Sequence, residues 1–310
     1  MDFKRISHFV AVAEAESISK AAERMHIVQP AISQSIKKLE EEMGAQLFTR
    51  SRRGMELTES GTMFLKYAYG ILNQFNRAKE SVSAVGKKPT GLVSVAMTAS
   101  ALNVLSVPIC TLMQNAYPDI QLNLEEGLSG NIQKGFEAGW YDLMITFDPE
   151  PNESVHIEEL IIEDLYLVTP YKADSPKEVV FSDLKNFPII IPQDQDSIGQ
   201  TLNKHAEKLS LDITSSMITA ALHPALLLIE AGLGNTILPW SAIFDRVELK
   251  NVSARKIKSP SIRRCVSMIY PTQRTLTQAS IAVMEIIRSA VLSAYKNNNW
   301  HGELLIEHDS

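Results

Sequence analysis

A heptad pattern of apolar residues in the first third of the chain restricts its fold more than any other feature. In residues 64–85 the apolar positions recur at alternating spacings of four and three residues, a seam that packs one helix against another. The roughly sixty residues before it offer little surface for seven further core positions. We therefore expect this helix to mediate self-association, and packing on its own domain is the alternative. The predicted dimerisation residues are Phe64, Ala68, Ile71, Phe75, Ala78 and Val82.

A short hinge-like segment follows this helix and divides the chain. Residues 86–91 contain two glycines, two lysines and a proline, a composition that breaks helices and suits a linker. The charge balance changes there too, because residues 1–90 hold 14 basic and 10 acidic residues whereas residues 91–310 hold 16 and 26. We therefore expect two modules, the front one suited to a polyanionic partner.

The composition indicates a globular protein of the cytoplasm. With 310 residues, 45% of them hydrophobic, the chain can bury at least two cores. It has no long uncharged apolar run that would predict a transmembrane helix, and its first apolar stretch, residues 9–13, is too short for an export signal. Two distant cysteines, Cys110 and Cys265, argue against a disulfide framework and are expected to be buried thiols.

Helical periodicity and capping residues predict a compact front domain. The apolar spacing predicts helices at residues 3–13, 18–25 and 29–42. Ser17 can cap the second helix and Gly44 ends the third. Two short apolar segments, residues 47–50 and 55–58, flank a basic turn and predict a β-hairpin. Three helices and a two-stranded wing therefore precede the heptad helix, which Thr58 can cap.

One face of the third predicted helix carries only polar and basic side chains. These are Ser33, Gln34, Lys37 and Lys38. In a helix-turn-helix such side chains reach base edges and phosphates in the major groove, and Arg50, Arg52 and Arg53 on the wing would add phosphate or minor-groove contacts. An ordinary solvated helix face is the alternative, but the wing and the heptad helix together favour DNA binding.

Short apolar strands alternate with helices over the rest of the chain. Strands are predicted at residues 92–97, 120–125, 142–147, 165–169, 188–191 and 236–239, and helices at residues 102–116, 132–138, 197–209, 224–231 and 276–295. This alternation predicts right-handed βαβ units and a largely parallel sheet. The length suits two lobes, and the residues after the last helix are expected to form a polar tail.

Polar residues stand at the predicted helix starts of this rear module. They are Thr98, Ser100, Ser129, Asn131 and Ser197. Helix N-termini offer unpaired N–H donors and a favourable dipole to anions, so their convergence on one cleft would predict a small carboxylate or other anion as ligand. Ordinary helix caps are the alternative. His223 stands at another helix start and can face the same cleft, with a structural role as the alternative.

The sequence offers no grouping typical of an enzyme or a metal site. Asp194 and Asp196 stand in one loop, but no third ligand for a divalent ion accompanies them, and residues 232–234 lack the third glycine of a dinucleotide-binding motif. We therefore expect no cofactor and no catalysis. A solute-binding protein is a further alternative, against which the front domain and the missing export signal both count.

Taken in order, the residues of the front module resemble the winged helix-turn-helix of LysR-type transcriptional regulators. The matched positions are Phe9, Ala13, Glu14, Ser17, Ala21, Ala22, Gln29, Pro30, Ala31, Ile32, Ser33, Ile36, Leu39, Glu40, Gly44, Leu47, Phe48, Arg50, Leu57, Thr58 and Gly61. The heptad helix, the hinge and the α/β body follow the family's plan too. Residues 129–131, 142–145 and 162–165 are similar to the branch that contains the nitrogen assimilation control protein.

The resemblance implies an α/β protein in three parts. These are a winged helix-turn-helix DNA-binding domain at residues 1–58, a linker or dimerisation helix at 59–88, and at 89–310 a two-lobed effector-binding domain that resembles periplasmic binding proteins. It implies a transcriptional regulator that is not an enzyme. The implied partners are double-stranded DNA with an interrupted palindrome near a promoter, a small-molecule effector, further copies of the chain in a dimer or tetramer, and RNA polymerase, with no membrane.

The resemblance also implies site residues. The DNA contacts would be Ser17, Gln29, Pro30, Ser33, Gln34, Lys37, Lys38, Arg50, Arg52 and Arg53. The effector contacts would be Thr98, Ser100, Ser129, Phe147, Pro192, Gln193 and His223. Val28 stands where the family usually has a serine that caps the recognition helix, a loss of about 1 kcal/mol. Gln34 stands where many relatives have arginine, so the resemblance does not imply which bases this side chain reads.

Overall fold

The protein, here a computed structural model, forms two compact units. The structure describes residues 2–51, 54–83, 88–191, 197–208, 215–219, 221–273 and 275–306. The first unit comprises Met1–Lys87 and Gly135–Tyr141, and the second comprises Lys88–Lys134 and Asp142–Ser310.

The first unit contains the three helices and the hairpin that the sequence predicts. Its elements are α1 (Phe3–Ala15), α2 (Ile18–Arg24), α3 (Gln29–Met43), β1 (Phe48–Ser51), β2 (Gly54–Leu57) and α4 (Glu59–Ser83). Strands β1 and β2 pair antiparallel. The Ser17 side chain accepts a hydrogen bond from the Lys20 N–H at the start of α2, and Thr58 Oγ1 accepts one from the Gly61 N–H at 2.9 Å. Both predicted caps are therefore confirmed.

An aromatic cluster holds this unit together. The Phe9 ring is fully buried, and its centroid lies 5.1 Å from that of Phe48 on the hairpin and 4.9 Å from that of Phe64 on α4. Aromatic pairs in this range add to the stabilisation from burial alone. One residue of α1 thus fixes both the wing and the long helix against the helical bundle.

The heptad seam of α4 divides into two parts. Phe64 and Ile71 pack against the core of the first unit, in which Ala68 is fully buried, so for these three residues the alternative of packing on their own domain is correct. Phe75 remains 45% exposed, and Ala78 is exposed. The seam is thus internal at its start and open farther along.

Among the residues that the structure describes, the remaining chain contains six α-helices, two short 3-10 helices (Phe181–Asn186 and Trp240–Ala242) and eleven strands. The helices are α5 (Ala99–Ala116), α6 (Ser129–Glu137), α7 (Ser197–Lys208), α8 (Leu222–Glu230), α9 (Phe244–Glu248) and α10 (Gln278–Lys296). The strands are β3 (Gly91–Met97), β4 (Ile120–Glu126), β5 (Leu143–Phe147), β6 (Val155–Pro170), β7 (Glu178–Val180), β8 (Ile189–Ile191), β9 (Ser215–Ile218), β10 (Thr236–Pro239), β11 (Val252–Lys258), β12 (Arg263–Pro271) and β13 (Gly302–Leu304).

The main sheet is mixed, so the prediction of a largely parallel sheet is wrong. Its order is β4-β3-β5-β12-β6-β11-β7, and β10 and β13 also pair with β6. Strands β3, β4 and β5 are parallel, but β12 runs antiparallel to β5 and β6, and β10, β11 and β13 run antiparallel to β6. Strand β12, from much later in the chain, lies between β5 and β6 and antiparallel to both, so these consecutive strands are not joined as neighbours of a βαβ unit.

Two hydrophobic cores divide the second unit into two lobes. The first lobe is built around a core that includes Val95 and Val283, and the second around a core that includes Leu167 and Ile190. Strand β6 belongs to both, because Ile161 lies in the first core and Leu165 in the second. The chain therefore crosses between the lobes along this sixteen-residue strand.

The end of the described chain is ordered, so the predicted polar tail is wrong there. Strand β13 pairs with β6, and Trp300 just before it is 1% exposed. Its burial explains the ordering, since a tryptophan can bury a large apolar area. The prediction of buried thiols is also wrong, because Cys110 is exposed and Cys265 is half-buried. No helix in the described ranges is long and apolar enough to span a membrane.

The start of α3 lacks a side-chain cap, as the sequence predicts. Val28 occupies the N-cap position, where its side chain makes no hydrogen bond, and it is 70% exposed. Pro30 lies in the first turn, where its missing N–H costs nothing. The backbone geometry at Val28 is extended, which is the geometry of an N-cap residue.

We therefore expect Val28→Ser to stabilise the first unit. A serine there can accept a hydrogen bond from a free N–H of the first turn, and the free energy of unfolding should rise by about 1 kcal/mol. Chemical denaturation followed by circular dichroism measures the change. Val28→Ala serves as the control and should not reproduce the gain; an equal gain from alanine would show that capping is not its cause.

Candidate functional site

The predicted DNA-binding residues lie on the outer face of α3 and on the wing. Ile32, Ile36 and Leu39 bury the inner face of the helix. The outer residues Gln29, Pro30, Gln34, Lys37 and Lys38 are exposed, and Ser33 is half-buried. Arg50 is exposed on β1, Ser17 is half-buried at the start of α2, and Arg52 and Arg53 lie outside the described residues.

Helix α3 and strand β1 share a groove. Ser33 and Lys37 from the helix line it together with Thr49 and Arg50 from the strand, so the structure brings together predicted residues from both elements. The Lys37 ammonium lies 3.9 Å from the Glu41 carboxylate, and both side chains are largely exposed. Such a surface pair contributes little and leaves Lys37 able to turn toward a phosphate.

Glu40 fixes the wing against the helix, a role that sequence reasoning missed. One of its carboxylate oxygens, Oε1, accepts hydrogen bonds from the N–H groups of Leu47 at 2.8 Å and Phe48 at 3.2 Å. Hydrogen bonds to a charged acceptor are stronger than neutral ones. The Glu40 carboxylate thereby holds the beginning of β1 beside α3, which sets where Arg50 emerges.

The predicted effector residues of the first lobe meet at one cavity in the second unit. This effector cavity has a volume of about 320 Å³, which is at the small end for ligand pockets. Thr98, Ser100, Ser129 and Phe147 all line it. Pro192 and Gln193 lie outside the described residues. His223 does not line it, but lines a neighbouring cavity together with Asn103 and Arg246.

Several helices begin at the effector cavity. Ala99, Ser129 and Leu222, the first residues of α5, α6 and α8, line it, as does Ile198 in the first turn of α7. Each helix N-terminus carries a partial positive charge and N–H groups without a partner within the helix. The cavity wall therefore combines donors and dipoles that favour an anion.

Thr98 does not act as an ordinary helix cap. It occupies the N-cap position of α5 without a side-chain capping bond. It is 5% exposed, and its hydroxyl has no hydrogen-bond partner among the described residues. Leaving a buried hydroxyl unpaired costs about 1–3 kcal/mol. This cost would be offset by a ligand oxygen at the hydroxyl.

Arg264 forms part of the cavity wall and was missed by sequence reasoning. Its guanidinium carbon lies 3.3 Å from the centroid of the Phe147 ring, a close cation–π arrangement. The guanidinium donates to Glu163 Oε1 at 2.7 Å and to Ser100 Oγ at 3.0 Å. Arg264 follows Arg263 at the start of β12, in a segment for which the sequence predicted no strand, so nothing there indicated its partner.

The buried Glu163 carboxylate pairs with Arg264 and neutralises its charge. It is fully buried, and its second oxygen accepts hydrogen bonds from Ser241 Oγ at 2.9 Å and from Trp300 Nε1 at 2.7 Å. Three donors thus satisfy this carboxylate, the condition under which a buried ion pair is tolerated.

The Cys265 side chain lies next to Arg264 in the sequence. Burial raises the pKa of its thiol, which disfavours the nucleophilic thiolate form.

We expect Arg264→Met to destabilise the protein by about 3–5 kcal/mol, because it leaves the Glu163 carboxylate buried without its cation. The matched control is Arg263→Met at the next residue, whose ion pair with Glu303 is exposed and should contribute at most about 1 kcal/mol. Denaturant unfolding of both variants measures the difference. Equal losses would show that the burial of the Arg264–Glu163 pair has no special weight.

The described residues hold no group of three or more His, Cys, Asp or Glu side chains that could bind a metal ion. The arrangement therefore offers two surfaces for function. One is the exposed polar and basic face of α3 with the adjoining wing. The other is the effector cavity, whose donors suit a small ligand.

Comparison with known proteins matches both parts of the chain to one family. Residues 3–62 match the family model of the bacterial regulatory helix-turn-helix protein, lysR family, and residues 86–291 match the LysR substrate binding domain. The chain is 29% identical over 300 residues to the nitrogen assimilation regulatory protein nac of Klebsiella aerogenes, a match that covers 94% of this chain and 95% of the relative. The predicted resemblance to that branch is thus confirmed.

A further relative and two solved structures are similar to the chain over most of its length. The chain is 26% identical over 308 residues to the HTH-type transcriptional regulator BbuR of Bordetella bronchiseptica, covering 97% of this chain and 94% of the relative. A full-length OxyR variant from Pseudomonas aeruginosa has the same fold, with a TM-score of 0.71, 19% identity and 99% coverage of both chains. Full-length CbnR complexed with its target DNA has a TM-score of 0.69, 22% identity and coverage of 94% and 100%.

The two family models together span most of the chain, and the relatives are transcriptional regulators, not enzymes. The chain belongs to the LysR family of DNA-binding transcriptional regulators, with a helix-turn-helix domain in front of an effector-binding domain.

Proposed function

We propose that this regulator binds an interrupted palindrome near a promoter and that a small anion in the effector cavity controls its action. The observation that carries the proposal is the meeting of several helix N-termini and the unpartnered Thr98 hydroxyl at one cavity. We also propose that it works in the cytoplasm and contacts RNA polymerase. The proposed division is a DNA-binding domain at residues 1–58, a dimerisation helix at 59–88 and an effector domain at 89–310.

The exposed side chains of α3 support the DNA-binding part. Gln34, Lys37 and Lys38 project from the face opposite the buried Ile32 and Leu39, as a recognition helix in the major groove requires. Gln29, Pro30, Ser33 and Ser17 lie at or near the starts of α3 and α2. Arg50, Arg52 and Arg53 on the wing would contact the phosphate backbone of the DNA beside the groove. Glutamine suits base edges, whereas lysine and arginine also contact phosphates.

The test of this part is a footprint of the full-length protein on DNA upstream of its own gene, across a salt series and with competitor DNA. We expect a protected, partly palindromic site. Lys37→Ala should weaken binding and reduce the salt slope by about one if Lys37 contacts a phosphate, or relax specificity at one base pair if it reads a base. The matched control is Lys185→Ala, an exposed lysine in the second lobe.

An unchanged affinity, salt slope and specificity for Lys37→Ala would contradict the assignment of this face. Loss of protection on adding competitor DNA would contradict a specific site upstream of the gene. Selection from random sequences would then distinguish an operator elsewhere from a protein without sequence preference.

The open part of the α4 seam supports self-association. Phe75 is 45% exposed and stacks on Phe3, which is also 45% exposed, with their centroids 4.2 Å apart. Two exposed aromatic rings in contact form an apolar patch that a second copy can cover. Ala78 is exposed on the same helix and would extend this dimer surface, as would Val82, whose side chain lies outside the described residues. Phe64, Ala68 and Ile71 pack in the first unit beneath it. A two-fold dimer would present paired recognition helices to the palindrome, and two dimers would form a tetramer.

We expect Phe75→Lys to lower the oligomeric state, because a charge would be buried at the centre of the patch. Sedimentation equilibrium of the full chain measures the mass. The matched control is Met63→Lys, since Met63 is exposed on the same helix but lies outside the heptad seam. An unchanged mass for Phe75→Lys would place the dimer interface elsewhere.

A further inference from the structure

The effector cavity has an uneven distribution of charge. Among the described residues that line it, Glu126 and Arg264 carry a formal charge. Arg264 is paired with the buried carboxylate of Glu163 at 2.7 Å, so these two side chains cancel. Glu126 therefore leaves a side-chain charge of −1 at the described wall. The positive potential there comes from helix N-termini, each equivalent to about half a charge.

The side-chain donors at the cavity are concentrated on the first lobe, whereas helix N-termini reach it from both lobes. The Thr98 hydroxyl is buried without a partner among the described residues, and Ser129 begins α6 on the same cavity wall. Arg264 uses its Nε–H for Glu163 and one Nη2 N–H for Ser100. Since a guanidinium has five N–H groups, others are available to a ligand oxygen. The unpartnered hydroxyl of a residue that lines the cavity points to a ligand independently of the helix dipoles.

Most side chains on the second-lobe wall are apolar. Its lining residues include Ile190, Leu222, Ala225 and Leu238. Thr219 and Thr236 also line it. The Thr236 hydroxyl donates to the Ile190 carbonyl oxygen at 2.8 Å, and the Thr219 hydroxyl accepts a hydrogen bond from the Ala221 N–H at 3.5 Å. A ligand that touches these side chains gains from burying apolar surface.

We propose that the effector cavity selects a small carboxylate with a single negative charge and an apolar body. The carboxylate binds the Thr98 hydroxyl and the N–H donors of the first lobe, and the body packs on Ile190, Leu222 and Leu238. Glu126 excludes a second negative charge, because no unpaired cation among the described lining residues balances it. The inference rests on the proposed function, since it specifies the ligand of the same effector site.

The test compares three probes on the full-length protein by isothermal titration calorimetry. They are 4-methylpentanoate, its neutral counterpart 4-methylpentanamide and the apolar dianion 3,3-dimethylglutarate. We expect 4-methylpentanoate to bind at least tenfold more tightly than either of the others. Thr98→Val should weaken its binding about tenfold, because valine keeps the shape but removes the hydroxyl.

Glu126→Gln tests the exclusion of a second charge. It should strengthen binding of the dianion at least tenfold and change binding of 4-methylpentanoate less than threefold. Glu150→Gln removes an exposed carboxylate elsewhere and should change neither. Tighter binding of the dianion or the amide by the unmodified protein, no response to Glu126→Gln, or no binding of any probe would overturn the inference.

The DNA footprint separates this inference from the proposed function. Tighter binding of the dianion would leave an anionic effector in place and remove only the single-charge selectivity. If the protein gives no footprint but binds 4-methylpentanoate as expected, the proposed DNA site is contradicted and the proposed ligand class is supported.

Discussion

The second unit depends on the buried ion pair between Glu163 and Arg264. Both residues are almost completely buried, and they lie where their strands pass from one lobe to the other. On β6, Glu163 stands between Ile161 of the first core and Leu165 of the second, and on the partner strand Arg264 lies between Ile262 and Val266 of the two cores. A charge at this crossing is tolerated only when it is fully paired. The pairing of β6 with β12 is thereby fixed in register at the junction of the lobes.

The same ion pair connects the cavity to the end of the chain. Arg264 reaches Ser100 at the start of α5, and Glu163 reaches Trp300 and Ser241. Hydrogen-bonded networks in a low-dielectric interior resist partial disruption, because each unpaired member is costly. The order of the segment around Trp300 follows from this requirement as much as from its apolar packing. The many polar residues of that segment predict a polar tail. In the structure the buried Trp300 indole, which donates to Glu163, holds the segment in place so that β13 pairs with β6.

The sequence predicted the local structure of the first unit well, but in the second unit it missed strands β7, β9, β11, β12 and β13 and the first ten residues of β6. It predicted non-local pairing poorly. The helices and the hairpin of the first unit follow from apolar periodicity and caps such as Ser17 and Thr58, which act within a few residues. The direction of β12 depends on its pairing with β5 and β6, and no local pattern encodes that choice. Glu163 and Arg264 are 101 residues apart, so their partnership could not be found from spacing. For the candidate site, helix starts identified Thr98, Ser100 and Ser129, while Arg264 required the fold. The heptad of α4 shows the same limit, because Ala68 and Phe75 have equivalent places in the pattern and opposite burial.

The position of the cavity links ligand binding to the arrangement of the two lobes. Its wall takes Thr98 and Ser129 from the first lobe and Leu222 and Leu238 from the second, so a ligand that touches both walls stabilises the lobe arrangement in which it makes both contacts. It can shift the equilibrium only by its difference in affinity between arrangements. That difference depends on how firmly Arg264 is held, because a guanidinium fixed by Glu163 and Phe147 presents its remaining N–H groups in one geometry. The buried pair at the junction of the lobes therefore also fixes part of the cavity wall.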